Sequence, residues 1–248
     1  DFGVVRNVEA ALQVIVILGS CGMPSLSAKC LAEVEDESLR AVLIGRLALL
    51  ALSASLIAAC AGLVLLPPFV PGIAQAYLRY AIWAVLFTCA GKTLLHYFQG
   101  VKKLGSLSTL TACFALTSLT LLVGLTLLVG LSGWLIAKYA SECLLLLLCL
   151  WKLRGKIRFR GHLPSAYRPA RLIWLGLAIA ASMSIRTVLD HCGLFALAFW
   201  DASNSELGNF GLSTALAATA MLIPAGVCMV IFPRLVERNR KNSNDSLR

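Results

Sequence analysis

The sequence is short of charge. Of its 248 residues only 14% are Asp, Glu, Lys or Arg, against 59% hydrophobic, and it holds 12 acids and 3 histidines. A soluble domain of this size carries roughly a quarter charged residues. The shortfall excludes a water-soluble enzyme, a nucleic-acid-binding module and a disordered chain. Strict polar–apolar alternation is also missing over any stretch long enough to serve as a barrel strand, so a transmembrane β-barrel is excluded. The nine cysteines form no CxxC and lie mostly in apolar runs, where Cys acts as a small hydrophobe. They read as packing residues, and no metal or cofactor is expected. There is no paired-acid site, no nucleophile–base spacing and no phosphate-cradling glycine loop, so the chain is not read as an enzyme.

What is present is apolar sequence in lengths that fit a bilayer, with a mean hydropathy of +0.83. A hydrocarbon core of about 30 Å needs roughly 20 apolar residues per helix. Seven such spans are expected, at 2–24, 40–66, 77–99, 106–129, 133–151, 172–199 and 208–232. The glycines Gly124, Gly130 and Gly133 mark a hairpin between the fourth and fifth, and Pro67, Pro68 and Pro71 a break after the second. The chain is therefore read as an all-α integral membrane protein. It opens Asp-Phe-Gly with no Met or signal-peptide n-region and closes on RNRKNSNDSLR, and we read it as a piece of a longer protein.

Orientation follows from Lys and Arg. The connection after the first span holds Lys29 and Arg40, and that after the third Lys102 and Lys103. The connection after the fifth holds Lys152, Arg154, Lys156, Arg158, Arg160, Arg168 and Arg171, and the tail adds Arg234, Arg238, Arg240, Lys241 and Arg248. The three opposite connections hold none, and DASNSELG there carries Asp201 and Glu206. The positive-inside rule puts the basic connections in the cytoplasm. The net charge of +10 then faces anionic lipid, and no nucleic acid is expected as a partner.

Residues 1–33 and 206–238 align at a constant offset of 205: Asp1-Phe2-Gly3 matches Glu206-Leu207-Gly208, and Lys29 matches Arg234. Read as a repeat, this makes the first and seventh spans equivalent and parallel, and places the chain across two six-helix bundles.

The same residues carry a family resemblance. YFQGVKKLGS, at the end of the third span, resembles the fourth-helix exit of polysaccharide (O-antigen) flippases in the multidrug/oligosaccharidyl-lipid/polysaccharide superfamily. SIRTVLDHCGLF resembles that family's seventh helix and LGNFGLSTALAATAMLIPAGVCMVIFPRL its eighth. His191 departs from the pattern, since relatives often carry Arg after the Asp. The resemblance implies a two-bundle (6+6) fold, with residues 1–151 supplying helices 2–6, 152–171 a basic cytoplasmic loop, and 172–248 helices 7–8. It further implies a multi-pass flippase of the bacterial cytoplasmic membrane, moving a polyprenyl-diphosphate-linked saccharide by alternating access. Membrane lipids, a polysaccharide polymerase and glycosyltransferases are the further partners that the resemblance implies. A drug or cation antiporter of the same superfamily is the alternative, and a polytopic enzyme of envelope glycan synthesis the more distant one.

Ionisable residues inside spans are functional candidates, because burying charge in a bilayer is costly. Arg186 lies about 21 Å into the sixth span at ~1.5 Å per residue, with Asp190 one turn on. Lys92, His96, Gln99 and Lys103 form one stripe on the third span, and Arg46 sits inside the second. Arg186, Asp190, Lys92, Arg46 and His96 are the expected substrate-binding residues. Glu9 and Gln13 share a face that could line a cavity, and Lys138–Glu142 reads as a structural pair. Six bases (Arg6, Arg46, Arg79, Lys92, Lys138, Arg186) against three acids (Glu9, Glu142, Asp190) lie within the spans, which favours a phosphate-bearing substrate.

Overall fold

The computed structural model describes residues 2–66, 70, 72–161, 163–200, 203, 205–217 and 219–220. These form α1 (Phe2–Ser20), α2 (Met23–Glu33), α3 (Glu37–Leu65), α4 (Ile73–Ala81), α5 (Ala84–Gly100), α6 (Leu104–Val129), α7 (Leu131–Lys152), a 3₁₀ turn at Ser165–Tyr167 and α8 (Pro169–Phe199). Residues 205–217 are also helical, and no strand occurs among the described residues. Five segments are long and apolar enough to cross a membrane: Phe2–Glu33, Glu37–Leu65, Leu104–Val129, Leu131–Lys152 and Pro169–Leu197. A sixth is the pair α4–α5, if it crosses as one span bent by 48°. The protein is an all-helical, multi-pass membrane protein.

Three boundaries differ from the sequence expectation. The first span does not stop near residue 24, because helix resumes through Lys29 to Glu33. Cys21 and Gly22 take left-handed φ of 45° and 64°, which redirects the chain, and Pro24 restarts the helix in its first turn. The third span is longer and broken. Trp83 N–H donates to the Tyr80 carbonyl, Val85 to Ile82 and Leu86 to Trp83, and these tight i→i−3 bonds replace the α-helical ladder at the bend. Of the seventh expected span, 208–217 is helical, whereas residues 221–232 lie outside the described residues.

Two apolar clusters hold the bundle. One gathers α2, the first half of α3 and the ends of α5 and α7 around Leu31, Ile44, Leu94 and Leu153. The other joins α1, the end of α3, α4 and the starts of α5 and α7 around Val8, Ile82, Val85 and Trp134. α6 stands apart, with Leu110 its one buried residue, and packs mainly on α7. Its sequence is apolar all round because nearly its whole circumference faces outward, as a lipid-facing helix requires.

At the end bearing the basic connections, Asp36 caps α3. Its carboxylate accepts from Ser38 N–H and Oγ–H, each at 2.9 Å, and these bonds hold its carboxyl below the ordinary value. A carboxyl with a depressed folded pKa contributes stability above its unfolded pKa and loses it as pH falls through the folded one. Asp36→Ala should therefore lower the melting temperature slightly at neutral pH, and the gap to wild type should close on acidification. A gap that widens in acid would contradict the capping role.

At the opposite end, the segments that align at an offset of 205 come close to each other. A Cβ placed on Gly208 would lie 3.4 Å from Gly3 N, and one on Gly211 would lie 2.8 Å from Arg6 Cγ. Both pairs are related by the offset of 205.

Candidate functional site

Three helices each turn one polar i,i+4 pair toward a common space. α1 supplies Glu9 and Gln13, α5 supplies Thr88 and Lys92, and α7 supplies Lys138 and Glu142. Residues four apart lie one above the other on a helix face, so each pair forms a polar stripe within otherwise apolar sequence. The stripes surround a cavity of about 250 Å³, completed by aliphatic residues that include Leu12, Val16 and Val85.

The polar groups in this cavity are unequally satisfied. Lys138 Nζ lies 3.3 Å from Glu142 Oε1. Glu142 is only 5% exposed, yet its Oε2 has no hydrogen-bond partner. A buried acceptor left unpaired costs about 1–3 kcal/mol, and more when charged, so this oxygen is a place where a ligand or water gains a strong contact. Glu9 pairs with Arg6 at 3.8 Å, and Arg6 Nη2 reaches Thr214 Oγ1 at 3.4 Å. Thr88 donates its hydroxyl to the Ala84 carbonyl at 3.0 Å, which leaves its oxygen as an acceptor. Gln13 Oε1 lies 2.7 Å from His191 Nε2, so the imidazole is the donor and α8 is tied to the cavity wall. Among the described residues Lys92 has no carboxylate within ion-pair distance. Nor do any three His, Cys, Asp or Glu side chains there form a group able to hold a metal ion.

The structure separates the five residues expected to bind substrate. Lys92 lines the cavity. His96 is half-buried one turn away, its Nδ1 2.8 Å from the Lys92 carbonyl, so that nitrogen is occupied by its own helix. Arg46 is half-buried on α3, with Nε enclosed and unpartnered, and does not line the cavity. Arg186 and Asp190 do meet, at 3.9 Å, but their side chains are 86% and 65% exposed on a side of α8 that the described helices leave open. The cavity itself carries two ammonium groups and two carboxylates, so the basic excess counted over the spans is not a property of this space. Lys138 and Glu142, read from sequence as a structural pair, are among its walls. The signal that could have marked them was the matching four-residue spacing of polar pairs in three different spans.

No protein-family model, curated protein or solved structure matches the chain.

Proposed function

We propose that the chain belongs to a membrane transporter, and specifically to a flippase that moves a polyprenyl-diphosphate-linked saccharide across the bacterial cytoplasmic membrane by alternating access. The observation that carries this reading is the cavity walled by Glu9, Gln13, Thr88, Lys92, Lys138 and Glu142 inside a bundle of apolar helices. Charge at such depth is costly and is retained where it lines a path for polar cargo. The headgroup would occupy the cavity while the polyprenyl tail stays in lipid. Lys92, with no carboxylate within ion-pair distance among the described residues, suits a phosphate oxygen. Glu142 Oε2 suits a sugar hydroxyl. Arg186 and Asp190, on the open side of α8, would face further helices of the transporter or the moving substrate.

A cation antiporter is the second reading, and the free Glu142 oxygen in a charge-balanced cavity favours it. One experiment separates the two. The purified protein is reconstituted into vesicles and assayed for movement of a lipid-linked oligosaccharide between leaflets and, in parallel, for uptake of an organic cation. On our proposal the lipid-linked sugar moves, and Lys92→Gln slows it at least tenfold at an equal protein level. Cation uptake without lipid movement would overturn the flippase reading in favour of the antiporter.

A further inference from the structure

The segment joining α7 to α8 alternates strictly at its start: Lys152, Leu153, Arg154, Gly155, Lys156, Ile157, Arg158, Phe159, Arg160. Lys152 ends α7 and residues 153–155 form a turn, which sorts these side chains between bundle and solvent. Here Leu153 is 1% exposed and Ile157 packs on the core beneath it, whereas all five cations are exposed. No acid occurs anywhere from residue 152 to 171. Among the described residues none of the five cations has a carboxylate within ion-pair distance.

This ribbon is seated on the bundle. Gly155 takes a left-handed φ of 77°, and Lys156 N–H closes a turn on the Leu153 carbonyl at 2.8 Å. Arg158 N–H donates to the Ala41 carbonyl of α3 at 2.9 Å. Its own carbonyl sits where a side chain on Gly45 would be, because a Cβ there would lie 2.4 Å away. Between ribbon and helix lies a cavity of about 190 Å³ bordered by Ser38, Tyr97, Lys156 and Arg158, with Glu37 its one acid. Trp151 and Phe159 flank the cations and are 69% and 53% exposed. Exposed aromatics beside a span end are the pattern of the membrane–water interface.

We propose that residues 152–160 bind the phosphate groups of anionic phospholipid at the membrane surface. The occupant follows from position and charge. The ribbon leaves one span and leads to the next, so its cations lie at headgroup level, and its flanking aromatics suit that zone rather than bulk water. Near an anionic surface each Lys or Arg contributes roughly a fivefold gain in affinity.

The test uses the full chain in neutral detergent, followed by thermal unfolding against short-chain phosphatidylglycerol, phosphatidylcholine or inorganic phosphate. Phosphatidylglycerol should raise the midpoint and phosphatidylcholine should not. The effect should shrink with added salt. The variant Arg154→Gln/Lys156→Gln/Arg158→Gln should weaken the apparent affinity for phosphatidylglycerol roughly a hundredfold, and Lys102→Gln/Lys103→Gln, outside the ribbon, should weaken it less than the triple variant does. If the triple variant does not fold, Lys156→Gln alone should weaken binding roughly fivefold. An undiminished response in these ribbon variants, an equal response to phosphatidylcholine or free phosphate, or tighter binding of an oligonucleotide or acidic peptide than of phosphatidylglycerol would each overturn the proposal.

Discussion

Lys138→Met is expected to destabilise the protein by about 3–5 kcal/mol, the cost of leaving a buried carboxylate without its partner. Glu142 is the more deeply placed member, its side chain 6% exposed against 27% for Lys138, so deleting the lysine strands the charge that is harder to solvate. Lys138→Met/Glu142→Leu should recover most of the loss, since replacing both members of a buried pair by apolar groups of similar size can be nearly neutral. Melting temperatures of the purified single and double variants, read as a double-mutant cycle, measure the coupling. A Lys138→Met variant as stable as wild type would remove the pair from the energetics. Transport by the double variant then separates brace from binding site. If it folds and still transports, the pair only holds α7 together. If it folds and transport is lost, Glu142 acts on the cargo.

The spans were legible because a bilayer imposes a length and a composition that survive without any knowledge of packing. The α6–α7 hairpin at Gly130 and the gathering of the basic connection 152–160 beside the start of α3 follow from that logic. The bend in α4–α5 was not legible, since neither Ile82 nor Trp83 is a proline or a glycine that would mark a break. Nor could sequence show that helix resumes after the left-handed Cys21–Gly22 step.

The candidate site was legible in parts. Glu9 and Gln13 are two of the cavity walls, and Lys92 is a third. Depth within a span does not decide which residues reach this cavity. Arg186 and Asp190 are deep in α8 yet face away from the cavity, because depth along a helix says nothing about azimuth around it. Counting charges over all spans fails for the same reason, and only Lys92 and Lys138 of the six bases reach this space.

Gly176→Ala should disrupt the protein where alanine at Gly105 or Gly124 would not. A Cβ on Gly176 would lie 2.3 Å from the Cys21 carbonyl, and one on Gly22 would lie 2.5 Å from the Gly176 carbonyl. The α1–α2 break and α8 thus cross with backbone against backbone: Gly22 makes room for the Gly176 carbonyl, and Gly176 for the Cys21 carbonyl. Neither obstacle is a flexible side chain, so α8 itself must shift, at a cost of about 1–3 kcal/mol for an overpacked core. Gly22→Ala adds the left-handed penalty, since its φ of 64° costs a residue with a Cβ roughly 1–2 kcal/mol more. Gly105 and Gly124 in α6 meet nothing within 4 Å, so alanine there should be neutral or gain about 0.5–1 kcal/mol from reduced chain entropy. The consequence extends to the cavity. His191 follows Gly176 on the same helix and reaches Gln13 only while α8 keeps its seat against α1. Gly176→Ala should therefore lower transport as well as the melting temperature, and a truncation of His191 in the same background should add little further loss. If Gly176→Ala melts and transports like Gly124→Ala, the crossing is not close-packed, and α8 is not positioned by its glycine.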